Sequence, residues 1–526
     1  MTQPTIDHAT PPPHATEPPR IAGIVRRAAE RMRSPRLQRP ALIWLVALVV
    51  SACAAPAATN APALRQGAPE DAQTQADFWT QAARPYQGTI LHGISEDSPP
   101  SLYIRDTLAP AFEAATGIRI DLKISTNPTI EQTIAANSAA YDFVYVEQDV
   151  IYDYLKDDLL TDLSALLAAH PELTAPDFDI TDFTDFVDEF RSPEDGALYG
   201  IPIEAFIKTY AYRKDLFEDP AIRAAFEADY SYPLAPAVTI EQYRDIAEFF
   251  TRYGAAHNLD LWGSSAQATL NHNASTYEFL ETIAPSFGIY NWGINLATMH
   301  ATTANGGALD SDQAKAALTF WLDMLKFAPP ESTTSTWTEV AETFAAGRVA
   351  QGWLYGENTA WITTDPTRSQ IVGQLGVALP PSAPGVVEDA IVGAGYLGYY
   401  DGAAFGIPTH SARKEAALLW LQYLGQPSVQ PEWAVETARV VHLSTFDDPL
   451  VQAQDQRLNG YFTLMKRQGN LFVGAPPVAF HVEVRDAIVP YIHGAIAGTM
   501  TPDEALDGAA AAVDALLVEL GYADAP

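Results

Sequence analysis

A regular alternation of strand-like and helix-like segments, beginning near residue 88, constrains the fold of this chain most strongly. Short runs rich in β-branched and aromatic residues predict strands, and apolar residues at helical spacing predict the helices between them. The predicted strands are 88–96, 118–125 and 141–148, and the predicted helices are 101–117 and 128–139. This order predicts βαβ units, a parallel sheet and right-handed crossover connections. We therefore predict an α/β fold.

The rest of the chain is more helical and too long for one core. Apolar residues recur at helical spacing in 243–255 and 311–327, and Thr501 starts a capping-box pattern that predicts a final helix. Strand-like pieces return at 349–356, 372–380 and 398–408. Since 526 residues exceed what one compact core accommodates, we predict two or more domains.

The N-terminal region has the character of an export signal. Residues 1–40 are predicted to be disordered and basic, with six arginines in 26–39, and the uncharged apolar run 41–52 follows. Twelve helical residues span about 18 Å, short of the roughly 30 Å hydrocarbon core of a bilayer. This pattern favours a secretory signal, with an uncleaved anchor helix as the alternative. The start codon stays open between Met1 and Met32.

The only cysteine, Cys53, follows the apolar run directly. The segment Val-Ser-Ala-Cys resembles the lipobox of bacterial lipoproteins, and this resemblance implies that Cys53 is lipidated. Residues 53–87 begin with an Ala/Pro/Thr/Gln-rich stretch and are predicted to form a tether. A lone cysteine also excludes an intramolecular disulfide and a Cys-x-x-Cys metal or redox pair. The eleven histidines are scattered, so we expect no metal site and no cofactor.

The net charge of -34 limits the partners that the surface accepts. An acidic surface repels nucleic acid and anionic lipid headgroups, so we expect neither as a partner. It also makes a phosphorylated substrate less favourable.

Four segments, taken in order, resemble the family 1 extracellular solute-binding proteins of ABC importers. LYGIPIEAFIKTYAYRKDLF (198–217) is similar to the first interdomain crossing of the family. AETFAAGRVAQGWLYGENTAW (341–361) is similar to a segment that carries sugar contacts in the family. The segment 405–424, FGIPTHSARKEAALLWLQYL, resembles the strand and helix that follow the second crossing. Residues 479–506 resemble the C-terminal helices. The resemblance runs from about residue 88 to 520.

This resemblance implies a periplasmic-binding-protein type II fold with two discontinuous α/β lobes joined by a hinge. The implied first lobe comprises 88–205 and 373–437, and the second comprises 208–372 and 441–526. The solute would bind between the lobes and be delivered to the transmembrane subunits of an ABC permease. The receptor is expected to be a monomer, lipid-anchored outside the cytoplasmic membrane or periplasmic.

Candidate binding residues follow from the topology. Ligands of open α/β sheets bind beyond the carboxyl ends of the strands. After the first predicted strand this rule selects His92, Ser95 and Glu96, and after the third it selects Glu147, Gln148 and Asp149. Carboxylates suit sugar recognition because each accepts several hydroxyl hydrogens. Each of these residues could instead be a solvated loop residue.

Aromatic side chains supply the flat apolar surfaces that sugar rings need. The candidates are Trp353, Tyr355, Tyr396 and Tyr399. Trp353 and Tyr355 are two residues apart in a predicted strand and therefore share a face; burial in the core is the alternative.

Three further residues follow from the resemblance and from the first crossing. His481 falls where maltodextrin binders place a stacking tryptophan, which favours a smaller ligand. Phe206 lies in the first crossing and is a cleft contact or a packing residue. Arg439 falls where relatives often have an arginine near the cleft, but a surface position is the favoured interpretation.

We therefore predict a receptor for a small carbohydrate or polyol, and no enzyme. The sequence holds no Gly-x-Ser-x-Gly, His-Glu-x-x-His or phosphate-binding glycine-rich motif. Two alternatives stay open. The same fold could serve a polyamine, a metal ion, glycerol phosphate or a sensing role, and paired carboxylates could serve a secreted glycosidase.

Overall fold

The computed structural model describes residues 69–137 and 139–524. The predicted basic region, the apolar run, Cys53 and the first part of the predicted tether, 53–68, lie outside the described residues. The later part of 53–87 differs from a free tether, because Pro69–Ala82 form a helix and Trp79, 3% exposed, packs in an apolar core. Among the helices that are described, none is both long and apolar enough to span a membrane.

Within the described residues, seven strands form one connected sheet, and the first three strands of the chain pair in parallel. The order across the sheet is β2-β1-β3-β7-β4-β5, and β6 pairs with β4. β1 pairs in parallel with β2 and β3, whereas the other pairs are antiparallel. The strands are β1 (Ile90–Glu96), β2 (Arg119–Ser125), β3 (Phe143–Glu147), β4 (Gly200–Arg213), β5 (Gln351–Tyr355), β6 (Leu375–Ala378) and β7 (Tyr400–Gly406). The parallel strands predicted from the first alternating segments are confirmed.

Helices fill the connections between the strands. Before β4 lie α1 (Pro69–Ala82), α2 (Pro99–Tyr103), α3 (Ala109–Thr116), α4 (Asn127–Ala135), α5 (Ile151–Lys156) and α6 (Leu163–Ala169). Between β4 and β5 lie α7 (Lys214–Glu218), α8 (Pro220–Tyr230), α9 (Ile240–His257), α10 (Ala274–Tyr277), α11 (Ala284–Ser286), α12 (Asp312–Met324) and α13 (Trp337–Ala345). Two π-helical turns, Ile104–Leu108 and Glu278–Ile283, join neighbouring helices.

The remaining helices follow β5. They are α14 (Gly356–Thr364), α15 (Val386–Ile391), α16 (Lys414–Leu424), α17 (Gln430–Thr437), α18 (Pro449–Arg457), α19 (Tyr461–Gln468), α20 (His481–Ile496) and α21 (Pro502–Glu519). The capping box predicted at Thr501 is confirmed. The Thr501 hydroxyl accepts a hydrogen bond from the backbone amide of Glu504, and the Glu504 carboxylate accepts one from the backbone amide of Thr501.

Two large apolar cores divide the molecule into two lobes. The first core contains Phe112 and Trp420, and the second contains Trp292 and Trp321. The long strand β4 passes from one to the other, since Ile207 packs in the first core and Tyr210 in the second. A strand shared by both cores is a natural hinge element.

The segment after α17 packs differently from the predicted lobe boundaries. Residues 441–526 are predicted to belong to the second lobe, but Val451 of α18 and Tyr461 of α19 lie in the first core. Within this C-terminal segment, the residues that pack in the second core begin at Val478. The other lobe boundaries stay a prediction.

At Gly402, β7 approaches the backbone of the hinge strand β4 closely. The φ of this glycine is +147°, and an added Cβ would overlap the carbonyl oxygen of Glu204 beside an irregularity in the β4–β7 register. Gly402→Ala is therefore expected to lower the free energy of unfolding by roughly 2–3 kcal/mol, through strain and overpacking. Chemical denaturation measures the loss.

Gly373→Ala is the matched control, because Gly373 also has a positive φ (+74°) but no atom within 4 Å of the added Cβ. It should cost about 1 kcal/mol. Equal losses in the two variants would contradict the close approach at Gly402.

Candidate functional site

A cavity of about 430 Å³ lies between the two cores. The first lobe lines it with residues at the ends of strands and the starts of helices, and the second lobe lines it mainly with α10, the π-helical turn that follows and the start of α13. The lining side chains are Glu96, Asn127, Pro128, Glu131, Tyr145, Glu147, Asp149, Phe206, His272, Asn273, Tyr277, Glu281, Trp337, Tyr355, Glu357, Tyr399, Asp401, Gly402, Arg439 and Arg485.

The carboxyl ends of the parallel strands supply one wall. Glu96 and Glu147 are the last residues of β1 and β3, and Asn127 begins α4 just after β2. The Asn127 amide donates to the Glu147 carboxylate at 2.6 Å. Burial, followed by the nearby charge of Asp149, raises the pKa of Glu147 well above its ordinary value. The topological rule for α/β sheets therefore locates this wall correctly.

A buried arginine joins the hinge to this wall. The Arg439 guanidinium pairs with Glu204 of β4, lies 3.7 Å from Glu96 and sits over the Phe206 ring at 5.0 Å from its centroid. The Tyr145 hydroxyl donates to Glu204 at 3.2 Å. Burial raises the pKa of Glu204 to about 7, although Arg439 opposes the shift. Arg439 is only 6% exposed, so the predicted surface position of this residue is wrong.

A polar cluster connects the lobes across the cavity. The Tyr277 hydroxyl donates to Asp149 at 3.4 Å and accepts from Arg485 at 3.2 Å. The ring of His481 lies 3.1 Å from the same Asp149 carboxylate. Burial by itself would raise the pKa of Asp149, but His481 and then Arg485 hold it below its ordinary value. Asp149 belongs to the first lobe, and Tyr277 and His481 belong to the second. These contacts therefore join the lobes.

Two tyrosines form an aromatic surface near the hinge. The Gln148 amide donates to the Tyr399 hydroxyl and accepts from the Ala475 amide at 2.9 Å, which orients the Tyr399 ring. Tyr355 ends β5, and the Lys208 ammonium lies 4.2 Å from its ring centroid. One face of Tyr355 is thus already occupied by a cation.

Glu281 of the second lobe is a cavity carboxylate without a protein partner. It is 5% exposed, and its Oε1 atom is buried without a hydrogen-bond partner among the described residues. Burial raises its pKa well above the ordinary value, and the charges of Asp149 and Asp401 add to the shift. Its position in the π-helical turn is consistent with the frequent occurrence of such turns at functional sites.

The cavity gathers Glu96, Glu147, Asp149, Phe206 and Tyr355 from the residues selected in the sequence, together with Tyr399 and Arg439. They come from four strand ends and the hinge. Whether each of them contacts a solute stays a prediction.

His92 and Ser95 lie outside the cavity lining. His92 is the third residue of β1, not its last, and its ring pairs with Asp121 of β2 at 3.0 Å. Ser95 is fully buried and hydrogen-bonds the Ser101 hydroxyl at 2.8 Å. Alternation along β1 turns Ser95 to the opposite face from Glu96, and His92, although on the same face as Glu96, lies too far from the end of the strand.

Trp353, Tyr396, Gln148 and His481 also lie outside the lining, although the last two touch residues within it. Trp353 shares a face with Tyr355, but it packs in the second core at 4.4 Å from the Tyr243 ring centroid. Tyr396 packs on the Tyr290 ring at 4.9 Å and accepts from the Asn291 amide. His481 is fully buried at 4.4 Å from the Trp292 ring and supports Asp149 from behind.

Several lining residues were not selected from the sequence. The strand-end rule, applied to β2 and β5 as well, would have found Asn127 and Glu357. Asp401 stands opposite β3 because β7 runs antiparallel to it, a pairing that local patterns do not reveal. No local sequence signal marks Tyr277, Glu281, Trp337 or Arg485.

The ionisation of Asp153 in α5 provides a pH-dependent test of how the two lobes pack against each other. Burial, then the charge of Glu483 of α20, raises its pKa to about 7. Between the ordinary aspartate pKa and about 7 the unfolded chain releases this proton while the native state keeps it, so stability falls as the pH rises. Asp153→Asn should therefore raise the free energy of unfolding by about 2 kcal/mol at pH 8 and leave it unchanged at pH 3.5.

Thermal unfolding over this pH range measures the effect, with exposed Glu227→Gln as the control. An equal gain at both pH values would contradict the raised pKa of Asp153.

Two α/β lobes, a shared hinge strand and a cavity between the lobes define a periplasmic-binding-protein type II fold. The chain belongs to the family of bacterial extracellular solute-binding proteins, which matches it over residues 98–431. The resemblance and the fold class inferred from the sequence are thus confirmed.

Solved structures of low sequence identity share this fold. Maltose-bound MalE3 of T. maritima is 19% identical, with a TM-score of 0.66 over 82% of this chain and 100% of its own. A solute-binding protein of Agrobacterium vitis with bound D-mannitol is 18% identical, with a TM-score of 0.64 over 83% and 100%. UgpB of Mycobacterium tuberculosis, in complex with glycerophosphocholine, is 15% identical, with a TM-score of 0.62 over 82% and 99%.

Proposed function

We propose that this protein is a lipid-anchored receptor outside the cytoplasmic membrane that captures a small carbohydrate or polyol and delivers it to an ABC importer. The observation that carries the proposal is the cavity of about 430 Å³ between the lobes, lined by both carboxylates and aromatic rings. Its size falls in the range of small-molecule sites, roughly 300–1,000 Å³.

The lining chemistry suits a polyhydroxylated solute. Glu96 and Glu147 accept hydroxyl hydrogens at the strand ends, and Asn127 both donates and accepts. The rings of Phe206, Tyr399 and Trp337 offer apolar faces for C–H groups. Maltose, ribitol and D-mannitol are among the solutes named for structures of the same fold, which supports testing both sugars and sugar alcohols.

The hinge and the interlobe contacts support a closing motion. Solute would bind to the open form, and the contacts of Asp149 with Tyr277 and His481 would then form as the lobes close. A permease that recognises only the closed form would accept loaded receptor. We propose a monomer, and a role in binding with no turnover of the solute.

A thermal-shift panel tests the proposed function. A solute that binds only the native state raises the melting temperature, by an amount corresponding to about 2.7 kcal/mol at a hundred times its dissociation constant. The panel comprises mono- and disaccharides, pentitols and hexitols, with glycerol phosphate, spermidine and calcium as competing classes. We expect sugars or polyols to give the largest shift. A shift with only a competing class, or with none of the solutes, would refute the proposal.

Lipid anchoring is tested separately at Cys53. Cys53→Ala is expected to move the protein from the membrane fraction to the soluble extracytoplasmic fraction without changing its solute affinity, because the cavity lies in the folded lobes. Fractionation with immunoblotting, together with titration of the purified variant, measures both properties. If Cys53→Ala stays with the membrane, the apolar run 41–52 is itself the anchor.

A further inference from the structure

The cavity contains more carboxyl groups than its own cations can pair. Arg439 is committed to Glu204 and Glu96, and Arg485 to Asp486 at 2.9 Å and to the Tyr277 hydroxyl. Asp149 has His481. Within the described part of the chain, five lining carboxylates form no ion pair: Glu131, Glu147, Glu281, Glu357 and Asp401.

Two buried carboxylates of the same π-helical turn show the contrast most clearly. Glu278 is 3% exposed and pairs with the ammonium of Lys208, as a buried structural carboxylate should. Glu281, one turn further on, is almost as buried, lines the cavity and has no such partner. Lys208 thus forms its ion pair with the carboxylate outside the cavity lining, whereas among the described residues the carboxylate in the lining forms no ion pair.

A neutral solute would not resolve this imbalance. It would displace water from around the unpaired carboxyl groups and leave each of them either protonated or in repulsion with its neighbours. An ammonium group supplies both the missing charge and three hydrogen-bond donors. Tyr277 and Tyr399 also line the cavity, and aromatic rings attract cations.

We propose that the solute is a sugar or polyol that carries a protonated amine, with the amine bound between Glu281 and Asp401. This inference rests on the proposed function and narrows its substrate class. The hydroxyl groups of the solute would then occupy the strand-end wall at Glu96, Asn127 and Glu147. The unpaired carboxylates come from both lobes and surround the cavity, a distribution that suits an extended organic cation.

Calorimetric titration with matched pairs of solutes tests the inference on the wild-type protein. The pairs are glucosamine and glucose, galactosamine and galactose, and glucamine and sorbitol, with N-acetylglucosamine as an uncharged derivative. For at least one pair we expect the amine to bind about tenfold or more tightly than its neutral partner, which corresponds to about one charge-assisted hydrogen bond. N-acetylglucosamine should lose that preference.

The isosteric variant Glu281→Gln tests the site of the amine. It should weaken the binding of the amine about tenfold more than the binding of its neutral partner, and so remove most of the preference for the amine. Glu227→Gln, on the exposed face of α8, should change neither affinity. A general loss of structure would lower both affinities together, so the ratio separates the two effects.

The outcomes separate this inference from the function on which it rests. If neutral sugars or polyols bind as tightly as their amines, or bind while no amine does, the inference is wrong and the proposed function stands. A preference for amines that survives in Glu281→Gln overturns the assigned position. If calcium alone binds, or if no solute of either set binds, the inference and the proposed function both fail.

Discussion

Arg439→Met is expected to lower the free energy of unfolding by about 3–5 kcal/mol at pH 8. The guanidinium is buried between Glu204, Glu96 and the Phe206 ring. Methionine keeps much of the apolar volume but leaves the Glu204 carboxylate in the interior without a counter-charge. Because burial already raises the pKa of Glu204 to about 7, the loss should shrink at pH 5.5, where Glu204 is protonated.

Two further variants distinguish lost charge from lost packing. Arg439→Lys should lose less than Arg439→Met, because it keeps the charge but not the fork geometry. The double variant Arg439→Met/Glu204→Gln should recover much of the loss by removing the orphaned carboxylate. Denaturation midpoints measure each step. A double variant as unstable as Arg439→Met would contradict the ion pair as the source of stability.

Trp337→Ala is expected to weaken solute binding about 30-fold with little effect on stability. Trp337 begins α13, lines the cavity and is 39% exposed, so the second core does not need its ring. Covering about 80 Å² of the ring by a solute contributes about 2 kcal/mol, which corresponds to a factor of about 30 in affinity. Calorimetric titration with the strongest solute of the thermal-shift panel measures the change.

Leu450→Ala provides the matched control, since Leu450 is a comparably exposed apolar residue (47%) of α18 outside the cavity lining. It should leave affinity and melting temperature unchanged within about twofold and 1 °C. Equal affinities of the wild-type protein and Trp337→Ala would show that the solute does not reach the second-lobe rim.

The residues that the sequence located are those that topology alone determines. Parallel strands end at a common edge, so Glu96 and Glu147 could be assigned to one wall before any contact was known. His92 was selected by the same rule and lies outside the lining, because β1 continues to Glu96 and His92 is therefore not at the edge of the sheet. Trp353 and Tyr355 do share a face of β5, but Trp353 packs in the second core and only Tyr355 lines the cavity.

The second-lobe wall could not be located in this way. Tyr277, Glu281 and Trp337 lie on helices and turns whose place at the cavity depends on how the second lobe packs against the hinge. The charge imbalance is likewise a property of the assembled cavity. Acidic residues are abundant along the chain after Cys53. The unpaired carboxylates of the cavity therefore cannot be told from solvated ones until Arg439, Arg485 and Lys208 have been assigned to their partners.

Hydrogen–deuterium exchange of the wild-type protein, with and without a saturating concentration of the strongest panel solute, tests the central claim most directly. If the solute is captured between the lobes, amide exchange should slow on both sides of the cavity. In the first lobe we expect protection at 127–131 and 145–149, and in the second at 274–283. Protection confined to one lobe, or to segments away from these, would contradict capture of a solute in the interlobe cavity.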